Sequence, residues 1–301
     1  MQTHRPLAAA AWMSGSVLSF TAMAVAGRAV AGRHDTFEIM LWRSLVGLCL
    51  VLLAAGATGR LREIRRDRLG QHLLRNGVHF VGQNLWLYAL TAIPLAQLFA
   101  LEFTQPIWVV LLAPLLLDER LTPARALTAA LGFAGAMIVA RPDLTAPDAG
   151  MLAAAGAALS FAATAILTKA LTRGESIVSI LFWLTLMQSG LGLAAAGWDG
   201  AVALPTATTL PWLVLIGASG VFAHFCLTTA LSLAPASFVI PIDFARLPLI
   251  AVIGATLYAE PLDPLVLLGA VVILAANALN IRAAGAARTQ PLRNEIVTPR
   301  N

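Results

Sequence analysis

Residues 94–123 read PLAQLFALEFTQPIWVVLLAPLLLDERLTP, and residues 235–264 read PASFVIPIDFARLPLIAVIGATLYAEPLDP. Laid on each other, they place Pro94 over Pro235, Glu102 over Asp243, Phe103 over Phe244, Glu119 over Glu260, Leu121 over Leu262 and Pro123 over Pro264. The offset is 141 residues, and it holds without a gap back towards the start of the chain. Gly15 falls on Gly156, Ser19 on Ser160, Phe20 on Phe161, Arg28 on Lys169, Ile39 on Ile180 and Trp42 on Trp183. Any two Ala/Leu-rich segments align at some offset. Coincident Trp, Pro and acidic residues in one register across more than a hundred residues are not explained that way. The chain is a tandem repeat.

The composition says what each copy is made of. Of 301 residues, 59% are apolar and only 12% charged, with a mean hydropathy of +0.81. A soluble domain is nearer 45–50% apolar and about 25% charged. Disorder, a disulfide scaffold and an ordinary soluble enzyme are excluded. Apolar stretches bounded by charge, Gly and Pro give ten spans: 8–30, 37–58, 71–92, 95–117, 124–140, 151–171, 177–197, 211–232, 236–258 and 265–283. Each is long enough, or nearly so, to cross a bilayer as a helix. Barrel strands would alternate in polarity, and these runs do not. The expected fold is all-α, with ten transmembrane helices in two five-helix halves, 8–140 and 149–283, followed by a polar and disordered cytoplasmic tail, 284–301. Ala24-Val25-Ala26 also resembles a signal-peptide cleavage site, but the repeat requires this segment as a helix. Cys49 and Cys226 lie in apolar runs and read as small buried hydrophobes.

An odd number of spans per copy forces the second copy into the membrane from the opposite side. That is an inverted repeat, the design of many secondary transporters, with the substrate near the midplane between the halves. Charge sets the orientation. With the N-terminus inside, 15 of the 20 basic residues lie on inner loops and tails. These include Arg5, the Arg60–Arg75 cluster, Lys169, Arg173 and the residues from Arg282 onward. Only Arg28, Arg33 and Arg141 lie outside, and Arg43 and Arg246 fall within spans. This is a positive-inside pattern and predicts a multi-pass inner-membrane protein with both termini cytoplasmic. The excess of Arg reads as orientation and lipid contact rather than nucleic-acid binding.

Further residues carry a family likeness: Leu-Leu-Arg-Asn (73–76), Trp86-Leu-Tyr-Ala-Leu90, Pro94, Asp118-Glu119-Arg120-Leu121 and the Gly-rich Gly132-Phe-Ala-Gly135. The second copy supplies Ser232-Leu-Ala-Pro235-Ala and Tyr258-Ala-Glu260-Pro261-Leu262. Over residues 8–283 the chain resembles the EamA-type branch of the drug/metabolite transporter superfamily. The resemblance implies a ten-helix carrier of amino acids, sugars, vitamins, nucleoside-like metabolites or drugs. Phe37-Glu38 before Arg43, and Glu175-Ser-Ile-Val-Ser-Ile-Leu-Phe-Trp183, resemble most the subgroups for S-adenosylmethionine or riboflavin uptake.

Ionisable groups within spans are costly and invite a functional reading. Four stand out: Arg43, Glu102, Asp243 and Arg246. Glu102 and Asp243 are each eighth in their spans, so they should sit at mirrored depths, roughly 10 Å from their entry surfaces at about 1.5 Å per residue. Arg43 should share the depth of Glu102, which makes an Arg43–Glu102 pair possible; Asp243 and Arg246, three apart, share a helix face. Both pairs also read as structural ties. His79, Gln83, Asn84, Trp86, Tyr88, Gln105, Trp108 and His224 are further substrate-binding candidates, with the histidines open to a proton-relay or a packing role. Pro106, Pro114, Pro241 and Pro248 should bend the spans that carry the two acids. Glu119 and Glu260 read as caps for the helices opening at Pro123 and Pro264.

These features predict a carrier, with a small-molecule substrate, the bilayer as its other partner, protons as a candidate coupling ion, no cofactor, and a monomer or homodimer. Amino-acid or drug export within the same family is the alternative. No Gly-x-x-x-x-Gly-Lys, His-Glu-x-x-His or Gly-x-Ser-x-Gly occurs, so neither ATP coupling nor an intramembrane enzyme is supported.

Overall fold

The computed structural model describes residues 5–30, 32–93, 95–140, 148–198, 202–258 and 264–289. Among them the regular structure is helical: α1 (Pro6–Val30), α2 (Thr36–Ala57), α3 (Leu69–Ala92), α4 (Leu95–Glu102), α5 (Gln105–Leu117), α6 (Pro123–Ala140), α7 (Ala149–Leu171), α8 (Ile177–Ala196), α9 (Leu210–Leu233), α10 (Ala236–Val239), α11 (Arg246–Tyr258) and α12 (Pro264–Thr289). Pro94, Arg141, Glu260, Pro261, Leu262, Arg293 and Arg300 lie outside the described residues, as do the side chains of Arg28, Tyr258 and Arg288.

Local chemistry sets the helix starts. Asp35 and Glu38 form a capping box: Asp35 Oδ1 accepts from the Glu38 N–H at 2.8 Å, and Glu38 Oε2 from the Asp35 N–H at 3.1 Å. Asp148 and Ser176 cap α7 and α8 by accepting the Met151 and Ser179 N–H, at 2.9 and 3.1 Å. In the connection after α2, Arg60 donates to Glu63 at 2.6 Å and holds that carboxyl below its usual range.

Among the described residues, six helices are long and apolar enough to cross a membrane: α1, α2, α7, α8, α9 and α12. The other four expected spans depart from this for identifiable reasons. Helix α3 has 24 residues but carries His72, Arg75, Asn76, His79, Gln83 and Asn84, so its apolarity is diluted. Span 95–117 is broken after Glu102, where α5 restarts with Pro106 in its first turn. Span 236–258 opens with the four-residue α10, continues as a 3₁₀ segment over Ile240–Ala245 containing Pro241, and resumes as α11. Proline supplies no amide hydrogen and suits the first turn of a helix, so the breaks fall at Pro106 and Pro241. Pro114 sits inside α5 and Pro248 in the first turn of α11, and both helices run on. Helix α6 is 18 residues long. Of the expected tail from 284, residues 284–289 belong to α12, and 290–301 lie outside the described residues.

Contacts between helices repeat the internal symmetry of the sequence. The 141-residue shift carries α1 onto α7 and α3 onto α9, and α1 packs on α9 as α7 packs on α3. Helices α2 and α8, related by the shift, pack on each other, as do α6 and α12. The register is kept in detail. A Cβ on Gly15 would lie 2.9 Å from Cys226 Sγ, and one on Gly156 would lie 3.2 Å from Leu85, the residue 141 before Cys226. Trp42 donates to the Ala203 carbonyl at 3.0 Å, and Trp183 to the Arg65 carbonyl at 2.7 Å. Such close crossings through Gly and Ala are how helices associate where water gives no drive. Outward-facing leucines are exposed, Leu53 by 69%, Leu115 by 77% and Leu152 by 70%. A soluble protein would not leave so large an apolar area bare.

At the α2–α9 crossing a Cβ on Gly217 would lie 2.7 Å from Val46 and 2.9 Å from the Arg43 carbonyl oxygen. Backbone cannot yield as a side chain does. Gly217→Ala is expected to destabilise by about 1–3 kcal/mol through overpacking, read as a lower melting temperature in detergent; an unchanged Tm would show that the crossing is loose.

Candidate functional site

A cavity of about 340 Å³ lies between the two repeats. It begins at the exposed Gly32 and Asp35, in the turn before α2, and runs inward to Arg75 and Thr168, each 1% exposed. Helices α1, α2, α3, α7 and α9 line it, together with both broken segments. Phe20, Trp86, Phe99 and Phe161 give it aromatic walls.

The breaks place its charges. Glu102 ends α4, and Asp243 lies in the 3₁₀ segment three residues before Arg246, which opens α11. Arg246 Nη2 donates to Glu102 Oε1 at 2.5 Å and to Asp243 Oδ2 at 2.9 Å. Trp86 Nε1 donates to the second Glu102 oxygen at 2.6 Å. The guanidinium carbon stands 5.4 Å from the Phe103 ring centre and 5.8 Å from that of Phe20, within cation–π range. One guanidinium thus joins two carboxylates across the repeats.

This corrects the expected Arg43–Glu102 pair. Arg43 donates instead to the Gln83 amide oxygen, at 2.5 and 3.2 Å in the amide orientation that satisfies both groups. Depth along a helix is readable from residue counting. Azimuth is not, and the chain break at Glu102 gives its carboxylate to Arg246.

Of the other expected residues, His79, Gln105 and His224 line the cavity. The imidazoles of His79 and His224 meet edge to face, 5.0 Å between centres, with all four ring nitrogens buried and lacking a hydrogen-bond partner among the described residues. Asn84, Tyr88 and Trp108 do not line it. Asn84 Nδ2 turns back to the Phe80 carbonyl at 2.7 Å, and Tyr88 is 51% exposed. The cavity face of α3 is the one through Arg75, His79, Gln83 and Trp86, and Asn84 and Tyr88 fall on another.

Arg75, Thr164 and Thr168 were not expected at the site. Arg75 reads from sequence as a loop charge, yet it lies two turns into α3, donating from Nε to Thr168 Oγ1 at 3.0 Å and from Nη1 to Asn76 Oδ1 at 2.7 Å. Thr164 and Thr168 stand four apart in an Ala-rich helix, a spacing that could have pointed to a shared polar face. Lys169 is likewise buried, 5% exposed, and its Nζ donates to the Leu231 and Ala234 carbonyls at the end of α9, at 2.5 and 2.9 Å.

Beyond Arg75 and Thr168 the cavity is closed. A core containing Met13, Leu117, Ile166, Leu231 and Phe238 joins α1, α5, α7, α9 and α10. Glu119 is the polar centre of this end. Its carboxylate accepts from the Ala236 N–H at 2.7 Å, the Ser237 N–H at 3.1 Å and Ser237 Oγ at 2.7 Å. The expected role, a cap on the helix opening at Pro123, is corrected: Glu119 caps α10 in the other repeat. Arg125 Nη1 bonds Ser237 Oγ at 2.9 Å, Arg173 Nη2 bonds the Leu117 carbonyl, and the Arg5 N–H bonds the Leu233 carbonyl at 2.9 Å.

A family model described as the EamA-like transporter family matches residues 7–141 and again 148–282. A riboflavin transporter of Brucella anthropi is 35% identical over 225 residues, 73% of this chain and 79% of its own. A riboflavin transporter of Vibrio cholerae is 30% identical over 279 residues, 90% and 92% of the two chains. An S-adenosylmethionine uptake transporter of Rickettsia bellii is 27% identical over 268 residues, 88% and 90% of the two. One solved crystal structure shares the fold with a TM-score of 0.79 at 17% identity, over 94% of this chain and 99% of that one. With both copies of the repeat matched separately, and relatives at these identities over most of their length, the chain belongs to the EamA-like transporter family.

Proposed function

We propose that this protein is a secondary carrier that moves a small polar metabolite, a vitamin or nucleoside-like compound of the riboflavin or S-adenosylmethionine kind, across the inner membrane by alternating access. In this reading it crosses ten times, with α4–α5 and α10–α11 each forming one interrupted crossing. Residues 8–140 and 149–283 are inverted halves, and both termini are cytoplasmic. The observation that carries it is a cavity whose polar groups come from both repeats, reaching the surface at one end and closed at the other by contacts between the repeats. Its volume of about 340 Å³ is in the range of small-molecule sites, and its aromatic walls suit a flat ring system. The positive-inside pattern puts the mouth on the outer face. The state is then outward-facing, and inward opening requires the Glu119 end to part.

Glu102 and Asp243 share one guanidinium, so the trio carries one net negative charge. Asp243 Oδ1 has no hydrogen-bond partner among the described residues. A coupling proton would bind there.

The test is uptake of labelled riboflavin and S-adenosylmethionine by proteoliposomes holding the full chain. Saturable accumulation of one, accelerated by an acid exterior and losing that acceleration in Asp243→Asn, is the expected result. Absence of saturable uptake of both overturns the substrate assignment.

A further inference from the structure

Among the described residues, two of the three arginines that line the cavity have no carboxylate partner. Both Glu102 and Asp243 are committed to Arg246. Arg43 and Arg75 face the same cavity. Neither has a carboxylate within 4 Å among the described residues. Arg43 has only the Gln83 amide oxygen, and Arg75 only Thr168 Oγ1 and Asn76 Oδ1. A guanidinium offers five N–H donors in a fork suited to carboxylate and phosphate, so each has donors left for another group. Burying a charge without a directly paired counter-ion is expensive, and two guanidiniums here lack one.

The neighbouring groups are donors as well. His79 and His224 are each 4% exposed and line the cavity. Each neutral imidazole has one N–H in either tautomer, and neither ring nitrogen of either residue is satisfied among the described residues. The rings of Phe161, 6.0 Å from His79, and Phe20, 5.4 Å from His224, wall this region. An acceptor is what the spare donors of two unpaired guanidiniums and the N–H of each orphaned imidazole lack.

We propose that Arg43, Arg75, His79 and His224 form an anion subsite, and that the ligand of the cavity docks there through a carboxylate or phosphoryl group, with its remainder reaching towards Arg246. That this ligand is the transported metabolite rests on the carrier reading above, and of the two compounds named there only S-adenosylmethionine carries such a group; the subsite itself does not rest on that reading.

The test is thermal melting of the purified full chain in sodium phosphate, sodium acetate or sodium chloride at equal pH and ionic strength. A group that binds only the folded state raises Tm. Phosphate or acetate is expected to raise Tm above chloride, with the half-saturating concentration about tenfold higher or more in Arg43→Gln and Arg75→Gln, and the shift largely kept in Arg43→Lys. A shift with phosphate alone assigns a phosphoryl ligand, and one with acetate alone a carboxylate. Arg75→Gln also removes bonds to Thr168 and Asn76; if it fails to fold, Arg43→Gln and His79→Phe carry the test. No shift with either anion, or a shift unaltered in the folded variants, overturns the subsite. Saturable uptake without an anion shift removes the subsite and leaves the carrier; an anion shift without uptake of either compound removes that substrate assignment and leaves the subsite.

Discussion

Arg246→Ala is expected to reduce uptake to background and to lower stability by about 3–5 kcal/mol, the range found when one partner of a buried ion pair is removed. The size follows from what is left behind. Glu102 is 4% exposed and Asp243 7%; without the guanidinium, two carboxylates remain in one cavity with no cation between them. One can take up a proton, which limits the loss without restoring the tie between the repeats. A graded series separates charge from shape. Both bonds from Arg246 leave a single nitrogen, Nη2, so the ammonium of Arg246→Lys can keep them in part. It loses the flat contact with Phe20 and Phe103, worth about 0.5–2 kcal/mol. The expected order for both melting temperature and uptake is wild type, Arg246→Lys, Arg246→Ala. Adding Glu102→Gln to Arg246→Ala should recover stability, since one uncompensated charge is gone, but not uptake. Wild-type melting and uptake in Arg246→Ala would show that the trio is ornamental.

The series probes the part of the site that was half legible in the sequence. Glu102 and Asp243 declare themselves as rare residues in register in two apolar spans, and Pro106 and Pro241 mark where those spans break. Their partners do not declare themselves. Counting along a helix gives depth, so Arg43 and Glu102 look like neighbours; the turn after Glu102 and the 3₁₀ segment before Arg246 bring together residues 144 apart instead. Arg75 was hidden by a rule that counts arginines near span ends as orientation signals, because its burial depends on Thr168 in the other repeat. On α3 polar residues occupy more than one face, so Asn84 and Tyr88 could not be told from His79 and Gln83 by spacing. Glu119 stands four residues before Pro123 and looks like a local cap, whereas its partners lie 117 and 118 residues on. The fold repeats itself and can be read from one chain laid on itself. The site lies between the copies, where each contact needs two segments that no local pattern links.

Glu119→Ala is expected to open the closed end. Three donors on Ala236 and Ser237 converge on this carboxylate, at 2.7, 3.1 and 2.7 Å. Hydrogen bonds to a charged group contribute about 1.5–3 kcal/mol each. Glu119 is only half-buried, and water replaces it in part, so a net loss of about 2–4 kcal/mol for the closed arrangement is reasonable. In a two-state carrier a shift of that size changes the ratio of states by roughly 30- to 1,000-fold. The readout is a cysteine placed at Thr168, on the cavity floor, with Cys49 and Cys226 replaced by serine. In the background protein an impermeant thiol reagent should reach it only from the mouth, the side of Gly32 and Asp35. With Glu119→Ala it should also be reached from the side of the α5–α6 connection. Glu119→Gln keeps one acceptor oxygen for the Ala236 N–H and should fall between the two. Uptake should slow in Glu119→Ala, because the carrier then rests in the state that the mouth cannot load. Equal labelling from both sides in the background protein would remove Glu119 as the closing element and the outward-facing assignment with it.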